Sequence, residues 1–310
     1  LVADMDTGRV LIAENANQTN YPASLTKIMT LYLTFDALEH GRLHLDDYLI
    51  VSSSAAAASP VKLGLSAGTK IRVEDAIIAL AVYSANDVAR VLAENLKGGK
   101  EGTFASLMTR VAREIGLSHT NFENSSGLPD DDHLSTARDI ALLSMAVYKH
   151  FPQYWKYFGI KDWTYNGKTY SNGNRLLETY PGCDGMKTGY TNKSKYSLVA
   201  TASRGGHRLI SVVLGAENKD VRSVVSTNML NRGFAMLDKN APMVVSNNAS
   251  SVHMEPAPVT SPIVQKYASD APHVQYSTGG VGVQFGAFSI TDAANSMIAR
   301  VRSATGANAH

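Results

Sequence analysis

An α+β domain is the fold class that this sequence predicts, with one antiparallel sheet formed by both ends of the chain. Strand-like segments occupy residues 1–14 and about 185–215, whereas the patterns between residues 24 and 152 are mainly helical. Strands at both ends of a chain and helices between them are most simply joined as one sheet covered by helices. Two strands precede the helices and three follow them. We therefore expect about five strands, helices on both faces and an all-helical central insertion.

The chain begins with a hairpin and a buried helix. Residues 1–14 contain two short strands around a Thr7-Gly8 turn. Residues 24–40 form a helix that is apolar around most of its circumference, which is typical of a helix in a protein interior. This helix nevertheless contains Lys27, and lysine is almost never fully buried unless another group pairs with it.

Four further helices and three strands complete the predicted domain. A capping pattern from Thr136 to Asp139 marks the start of one helix, and Ser84-Ala85-Asn86 is a candidate interruption of another. In chain order, the elements are helices at 72–99, 103–116 and 135–152, strands at 185–191, 196–203 and 207–215, and a helix at 220–237.

The composition changes after about residue 240. Five of the ten prolines fall between Pro242 and Pro272, among Ser, Asn, Ala and Val, which indicates a linker. Residues 279–310 then offer one strand and one short helix, too little to bury a core alone. We predict a domain at 1–239, a linker at 240–278 and an extension at 279–310.

Composition excludes several classes of protein. The 310 residues are 44% hydrophobic and 18% charged, which suits a globular enzyme. A net charge of +2 without a basic block gives no reason to expect a nucleic-acid partner. One cysteine, Cys183, excludes an internal disulfide, and the scattered histidines predict no metal site. No apolar stretch is long enough for a membrane span.

The buried helix carries the first chemical motif, Ser24-x-x-Lys27. Residues three apart share a helix face, so the Lys27 amine can reach the Ser24 hydroxyl. Burial lowers the pKa of a lysine, and a neutral amine beside a serine is a general base for a nucleophile. The pattern has low specificity, because about one copy is expected by chance in a chain of this length. Indeed Ser59-x-x-Lys62 is a second copy, in which we expect Lys62 to be solvated.

The order of three motifs is more specific than any one of them. Ser24-x-x-Lys27 is followed by Ser84-x-Asn86 and then by a Lys-Thr-Gly that begins at Lys187. Other Ser-x-Asn copies occur only after the Lys-Thr-Gly. This order is the one found in penicillin-binding proteins and serine β-lactamases.

Longer segments extend the similarity to one family. The segments YPASLTKIMTLYL, KLGLSAGTKIRVEDAI, NSSGLPDDDHLSTARDIA and GCDGMKTGYT resemble the low-molecular-mass penicillin-binding proteins that are serine-type D-alanyl-D-alanine carboxypeptidases of the peptidase S11 type. The resemblance covers about residues 1–238. It implies the three-layer fold shared by β-lactamases and DD-peptidases, with no cofactor and no metal.

The resemblance also implies roles for the first two motifs. Ser24 would be the acylating nucleophile and Lys27 its base. Ser84 would relay the proton towards the leaving amine, and Asn86 would hold the amide of the substrate.

The third motif would bind the end of the substrate. Lys187 and the Thr188 hydroxyl would bind the terminal carboxylate, and the backbone N–H groups of Ser24 and Tyr190 would form the oxyanion hole. Gly189 would leave the strand edge free for the substrate to lie alongside.

Two other residues near the third motif have competing interpretations. Some members of the family carry an arginine close to the Asn172 position that helps to bind the carboxylate. Here Arg175 is the nearby arginine and a candidate substrate-binding residue, although a surface or supporting arginine is the favoured interpretation. Cys183 could suggest a thiol nucleophile, but a lone buried cysteine without a histidine partner is usually a small hydrophobe.

The function implied by the resemblance is removal of the terminal D-Ala from peptidoglycan stem peptides that end in D-Ala-D-Ala, through a Ser24 acyl-enzyme. Between the second and third motifs no Glu-x-x-Leu-Asn segment is present, so we expect slow deacylation and inhibition by β-lactams. A DD-transpeptidase or endopeptidase using the same site is an alternative, and an inactive peptidoglycan-binding envelope module is another.

The tail suggests an attachment to the cell wall. Its segment VQFGAFSITDAANSMIARVRS is similar to the opening half of the SPOR module, which binds glycan strands stripped of their stem peptides. A membrane-surface helix or a simple extension are the alternatives. Residue 1 already lies in a strand-like segment, so we expect a trimmed mature chain, from whose N-terminus export cannot be read. The resemblance implies a location in the periplasm or cell envelope.

Overall fold

The core of the fold is a five-stranded antiparallel sheet in the order β2-β1-β9-β8-β7. The structure is a computed structural model and describes residues 1–238 and 253–258. The strands among these residues are β1 (Val2–Asp4), β2 (Val10–Ile12), β3 (Tyr48–Ile50), β4 (Lys70–Arg72), β5 (Asp162–Tyr165), β6 (Lys168–Ser171), β7 (Cys183–Thr191), β8 (Lys195–Arg204) and β9 (His207–Ala216). The predicted antiparallel sheet from both chain ends is confirmed.

Helices surround the sheet and make up most of the region between β2 and β7. They are α1 (Lys27–Glu39), α2 (Ser53–Ala57), α3 (Val73–Ile78), α4 (Asn86–Leu96), α5 (Glu101–Glu114), α6 (Ala137–His150), α7 (Leu176–Thr179) and α8 (Lys219–Leu237). Two 3-10 segments, Ala23–Thr26 and Pro152–Gly159, and one π-helical turn, Ala79–Tyr83, join them.

The two faces of the sheet pack against different helices. Leu198 and Ala200 of β8 share a buried core with Leu230 and Phe234 of α8. Side chains alternate along a strand, so Val199, which lies between the first two, faces the other side of the sheet. There α6 and the 3-10 segment Ala23–Thr26 contact β9 and β7. These layers on both faces confirm the predicted α+β class.

The central region is not all helical, which corrects that part of the prediction. Strands β3 and β4 form one two-stranded sheet and β5 and β6 another. Three- and four-residue strands are too short to show a periodic pattern. A turn signal was nevertheless present, because Asn166-Gly167 connects β5 to β6 with φ of 48° and 76°, and Asn-Gly is the strongest short hairpin signal.

The other predicted elements form with small shifts. The helix predicted at 72–99 is divided into α3, the π-helical turn and α4, and the interruption falls at Ser84 as expected. The Thr136 side chain accepts a hydrogen bond from the Asp139 N–H, which confirms the predicted cap. Within the described ranges, no helix is long and apolar enough to cross a membrane.

The described residues belong to one unit, Leu1–Val264. Most of the predicted linker (240–278) and all of the extension (279–310) lie outside the described residues. Residues 253–258 are the described part of the linker, and they pack on the first hairpin. The Met254 N–H donates to the Gly8 carbonyl over 2.7 Å, and Met254 is buried.

Candidate active site

Ser24 lies in a tight turn that comes directly before α1. The 3-10 segment Ala23–Thr26 presents Ser24 half-buried, whereas its neighbours Ala23 and Leu25 are buried. Ala23 has a φ of 47°, a backbone conformation that is unfavourable for a residue with a Cβ and is often found at functional sites. Within this segment, Ser24 is the residue that remains partly accessible to solvent.

The Lys27 amine is surrounded by three oxygen atoms. Its Nζ lies 3.0 Å from Ser24 Oγ, 2.8 Å from Asn86 Oδ1 and 2.7 Å from the carbonyl oxygen of Ser126. Two of these oxygens can only accept hydrogen bonds, whereas the serine hydroxyl can also donate. A neutral amine has two hydrogens and one lone pair. When both hydrogens point to the two pure acceptors, the lone pair faces the Ser24 hydroxyl.

Burial makes the neutral form of this amine the favoured one. Lys27 has no solvent-exposed surface. Its pKa is lowered well below the usual lysine value, first by desolvation and then by the positive charge of Lys187, while Glu101 acts weakly in the opposite direction. Lys27 therefore has the geometry and the protonation state of a general base for Ser24.

The second motif stands at a break between two helical segments. Ser84 ends the π-helical turn in the left-handed conformation, with a φ of 68°. Its hydroxyl is buried and has no hydrogen-bond partner in the described structure. Asn86 begins α4 and is tied on both sides of its amide, because Oδ1 accepts from Lys27 and Nδ2 donates to the Ser59 carbonyl over 3.2 Å. In this structure Asn86 positions the lysine.

The third motif lies on β7, an edge strand of the sheet as described. Lys187 pairs with Val199, so its side chain points to the face opposite α8, where it is buried. Desolvation, and then the charge of Arg222, lower the pKa of Lys187 to about 7. Its Nζ donates to the Thr188 carbonyl over 3.1 Å.

Gly189 brings β7 close to the nucleophile. A Cβ at this position would lie 3.1 Å from the Pro22 carbonyl oxygen and 3.3 Å from the Ser24 nitrogen. The absence of a side chain therefore permits the strand edge and the Ser24 turn to approach each other. The next residue, Tyr190, is half exposed, and its ring packs on Tyr196 at a centroid distance of 4.3 Å.

The structure thus joins most of the predicted site residues. Hydrogen bonds link Ser24, Lys27 and Asn86, and the Lys187 charge acts on Lys27. Arg175 is placed differently, because it forms an ion pair of 2.9 Å with Asp220 in which both side chains are more than half exposed. This geometry supports the surface interpretation of Arg175.

The motifs did not reveal a loop that completes the site. Residues 124–128 supply the Ser126 carbonyl to Lys27, and the Asn124 side chain accepts from the N–H groups of Ser126, Gly127 and Leu128. Glu101 accepts from the N–H and the hydroxyl of Ser125. The Asn-Ser-Ser-Gly segment carries a turn signal, but only the fold brings it to Lys27.

Arg222 is a second residue that the motifs did not reveal. It lies on α8, is buried, and its charge acts on Lys187. Arginine is almost never fully buried without a partner, and here the carbonyls of Ser197 and Gly173 accept from it.

Cys183 lacks the properties of a nucleophile. Burial raises the pKa of its thiol to about 11, so the thiolate is rare at neutral pH. Among residues 1–238 and 253–258, no group of three or more His, Cys, Asp or Glu residues is arranged to hold a metal ion.

A small, solvent-open pocket lies beside the nucleophile turn. Its lining includes Ala23, Leu128, His133, Thr191 and Lys193. The His133 ring is hydrogen-bonded to Thr26 Oγ1 over 2.8 Å, and burial lowers the pKa of His133 to about 4, so the ring is neutral. A neutral, buried histidine ring therefore forms part of the pocket wall, which also includes Asp130 and Lys193.

Comparison with known families gives one match over most of the chain. Residues 1–218 match the D-alanyl-D-alanine carboxypeptidase family, peptidase S11. The D-alanyl-D-alanine carboxypeptidase DacF of Bacillus subtilis is 35% identical over 243 residues, which cover 77% of this chain and 62% of the relative. DacC of Escherichia coli is 37% identical over 250 residues, covering 78% and 62%. The chain thus spans about 62% of the length of these relatives.

Solved structures agree with this match. Penicillin-binding protein 5 of Haemophilus influenzae is 36% identical and has a TM-score of 0.73, with 76% of this chain and 69% of that chain covered. Penicillin-binding protein D2 of Listeria monocytogenes, in its ampicillin-bound form, is 32% identical with a TM-score of 0.69, covering 75% and 95%.

Proposed function

This chain belongs to the D-alanyl-D-alanine carboxypeptidase family, peptidase S11, and from that premise we propose that it removes the terminal D-Ala from peptidoglycan stem peptides. The observation that carries the proposal is the neutral Lys27 amine, which two pure acceptors orient towards the Ser24 hydroxyl. A serine activated in this way can form an acyl-enzyme without any metal or cofactor.

Acylation begins with the transfer of the Ser24 proton to Lys27. The Ser24 oxygen forms a bond to the carbonyl carbon of the penultimate D-Ala, and the bond from that carbon to the terminal D-Ala nitrogen breaks. The proton reaches the departing nitrogen, with the unpartnered Ser84 hydroxyl as the relay. The N–H groups of Ser24 and Tyr190 stabilise the oxyanion that forms between these two steps.

The end of the substrate is held on β7. The terminal carboxylate binds at the Thr188 hydroxyl beside the Lys187 ammonium. Asn86 and Ser24 both contact the Lys27 amine, so Asn86 lies near the nucleophile and can contact the substrate's amide. An anion at this position favours the charged form of Lys187. Lys187 thus has two effects. Its charge lowers the pKa of Lys27 and keeps that amine neutral, and the same charge binds the carboxylate of the substrate.

Hydrolysis of the acyl-enzyme completes the reaction with peptides but is slow with β-lactams. Water attacks the ester carbon while Lys27, neutral again after acylation, takes one of its protons. The bond from that carbon to the Ser24 oxygen then breaks, and Lys27 returns the proton to Ser24. In the described part of the chain, no Asp or Glu is hydrogen-bonded to Ser24 or Lys27, and the sequence has no Glu-x-x-Leu-Asn segment between the second and third motifs to supply the base of a class A β-lactamase. We therefore expect β-lactams to inhibit the enzyme.

The test compares wild type and Ser24→Ala by intact-protein mass spectrometry with penicillin and by D-Ala release from a D-Ala-D-Ala peptide. We expect a covalent adduct and D-Ala release in the wild type, no adduct in the variant, and a loss of release of about 10³-fold or more. An adduct and D-Ala release that both persist in Ser24→Ala would contradict the mechanism. The absence of any adduct in the wild type would leave the inactive envelope-binding module as the better interpretation.

Transpeptidation is a second candidate function on the same site. The Streptomyces K15 DD-transpeptidase is 28% identical with a TM-score of 0.70, covering 76% of this chain and 96% of that chain. Adding a glycine peptide as an amine acceptor to the D-Ala assay separates the two activities, because transfer yields a new amide in place of the free acid.

A location in the cell envelope follows from the proposed substrate, and periplasmic residence would give access to it. On the similarity of residues 279–310 to the opening of a SPOR module, we also propose that the tail binds glycan strands. Co-sedimentation with glycan strands stripped of stem peptides tests the tail, and equal binding by a variant lacking 279–310 would refute it.

A further inference from the structure

Arg90 and Glu101 form an ion pair between two helices of the central region. Arg90 lies on α4, and Glu101 is the first residue of α5. The Nε and Nη2 atoms of Arg90 both contact one carboxylate oxygen of Glu101, at 2.6 and 2.5 Å. The two side chains are only 25% and 14% exposed. A partly buried, charge-assisted contact of this kind is stronger and more directional than an ordinary surface ion pair.

The other oxygen of Glu101 holds the loop that supplies the Ser126 carbonyl. It accepts from the Ser125 N–H over 3.1 Å and from the Ser125 hydroxyl over 2.5 Å. The Ser125 carbonyl in turn accepts from the Thr30 hydroxyl of α1 over 2.6 Å. Ser125 is fully buried, and its donors and its carbonyl are all bonded within the protein. The next carbonyl, which accepts from Lys27, is therefore held in place.

Arg90 connects the same carboxylate to the helix that carries Asn86. The two residues are four apart on α4, about one helical turn. Asn86 Oδ1 is the other pure acceptor for the Lys27 amine. Arg90 Nη1 also donates to the Ser54 carbonyl of α2 over 3.3 Å. The ion pair thus joins the two elements, α4 and the loop, that each supply one acceptor to the lysine.

The pair also presents two opposite charges to the lysine. The Glu101 charge raises the pKa of Lys27, against burial and the charge of Lys187, which lower it. The Arg90 guanidinium contacts that carboxylate and offsets its effect. His133 faces Lys27 as well, but burial lowers the pKa of His133 to about 4, so this ring carries no charge at neutral pH. An intact pair therefore adds little net charge near the amine.

We propose that the ion pair of Arg90 with Glu101 is a positioning unit for the base of this enzyme. It holds the two acceptors against the Lys27 amine, so that both hydrogens of the neutral amine are engaged and its lone pair faces the Ser24 hydroxyl. The pair acts through the loop and α4, not by contact with the reacting atoms. The inference deepens the proposed function and rests on it, because the step it controls is acylation of Ser24.

The test measures the second-order rate constant of acylation by penicillin as a function of pH, by intact-protein mass spectrometry of quenched samples. Acylation requires the neutral amine, so the acid limb of this profile follows the pKa of Lys27 in the free enzyme. In Arg90→Gln the Glu101 charge is no longer balanced, and the limb should move to higher pH. In Glu101→Gln the remaining cation should move the limb to lower pH.

Loss of positioning should also slow acylation at the pH optimum. We expect a decrease of about 10-fold in either variant, because small displacements of catalytic groups have effects of this size or larger. The double variant, Arg90→Gln with Glu101→Gln, lacks both charges. Its acid limb should return towards the wild-type position while its rate stays low. Arg90→Lys keeps the charge and should restore the limb and part of the rate.

Lys149→Gln and Glu255→Gln are the matched controls. Each removes one charge from an ion pair between α6 and residues 253–258, which has no hydrogen bond to the Lys27 acceptors. Neither control should move the acid limb or slow acylation. Thermal unfolding of every variant shows whether a lower rate merely follows a lower stability.

The outcomes separate the inference from the proposed function. Acid limbs that stay in place, or move in the same direction, in Arg90→Gln and Glu101→Gln would show a purely structural role and overturn the inference. Wild-type acylation rates in both variants would overturn it as well. If Arg90→Gln does not fold, a limb in Glu101→Gln that is unmoved or shifted to higher pH overturns it. A wild type that forms no penicillin adduct would instead refute the proposed function.

Discussion

Lys27 shows how a single side chain can be unfavourable for folding and useful for chemistry. It is fully buried, its amine bonds only to uncharged oxygens, and its pKa lies well below the usual value. The apolar residues of α1 therefore do more than fill the core. They remove water from the amine and keep it available as a base.

Replacing Lys27 by alanine should separate these two effects. We expect the acylation rate with penicillin to fall about 10²- to 10⁴-fold, the usual contribution of a general base, as measured by stopped-flow or gel labelling. Lys62→Ala is the matched control, because Lys62 belongs to the exposed second Ser-x-x-Lys copy. Wild-type acylation by Lys27→Ala would contradict the assignment of the base.

The same substitution should also change how stability depends on pH. The pKa of Lys27 is lowered in the folded state, so the unfolded chain binds more protons between that pKa and the ordinary lysine value of 10.5, and wild-type stability rises with pH in this window. Lys27→Ala lacks this dependence. The difference in unfolding midpoint, variant minus wild type, should therefore increase as the pH falls from about 10 to 7. A difference that stays constant with pH would show that the amine is not desolvated in solution.

Ser84 is a second residue at the site, and its left-handed backbone conformation helps to form the site. A non-glycine residue with a φ of 68° is strained by about 1–2 kcal/mol. The break between the π-helical turn and α4 turns the Ser84 hydroxyl inwards and starts the helix that presents Asn86 to Lys27. The strained backbone at Ser84 therefore lies where the second motif meets Lys27 of the first motif.

At the scale of elements, the loop at 124–128 is the part of the site that sequence motifs did not contain. Glu101 and Asn124 fix its backbone by hydrogen bonds, and Gly127 packs against the nucleophile turn. The loop thereby determines both the third contact of Lys27 and the position of Ala23, the residue before the nucleophile.

Gly127→Ala tests this element. Gly127 has a φ of 83°, and a Cβ there would lie only 1.7 Å from the Ala23 carbonyl oxygen. We expect a loss of stability larger than the roughly 1–2 kcal/mol due to the backbone conformation alone, together with slower acylation. Gly116→Ala is the control, because its φ is 96° but nothing lies within 4 Å of the added methyl. Equal losses in both variants would show that the contact with Ala23 is unimportant.

At the scale of the whole domain, the site and residues 253–258 lie at opposite edges of the same sheet. The motif strand β7 is one edge and β2 is the other. Residues 253–258 pack on the turn between β1 and β2, where Met254 is buried and Glu255 forms an ion pair of 2.6 Å with Lys149. Stability can therefore be changed at this edge without a change of chemistry at the other.

Met254→Ala should demonstrate this separation. Loss of a buried methionine side chain costs about 1.5–3 kcal/mol, so we expect a lower unfolding midpoint and an unchanged rate of penicillin acylation. Glu255→Gln removes only an exposed ion pair and should change stability by less than about 1 kcal/mol. A reduced acylation rate in Met254→Ala would mean that the two edges are coupled.

The sequence by itself determined the family, the α+β class, the five strands at the two chain ends, and the order of the three motifs. It could do so because apolar periodicity and the spacing of Ser, Lys and Asn are local properties of the chain. It also separated Lys27 from Lys62, since only the first lies in an apolar helix. The short strands β3 to β6 were missed because three or four residues carry no clear period.

Only the tertiary structure decided which groups complete the site. The Ser126 carbonyl is a backbone atom 99 positions from Lys27, and no side-chain pattern marks such a contact. Arg222 lies on the last described helix and becomes relevant only because β8 and the Gly173 segment bring their carbonyls to it. Conversely, Arg175 was a candidate from its position in the sequence, but the start of α8 offers it Asp220 at the surface. Motifs record the residues that react, whereas burial and long-range hydrogen bonds determine their charge and orientation.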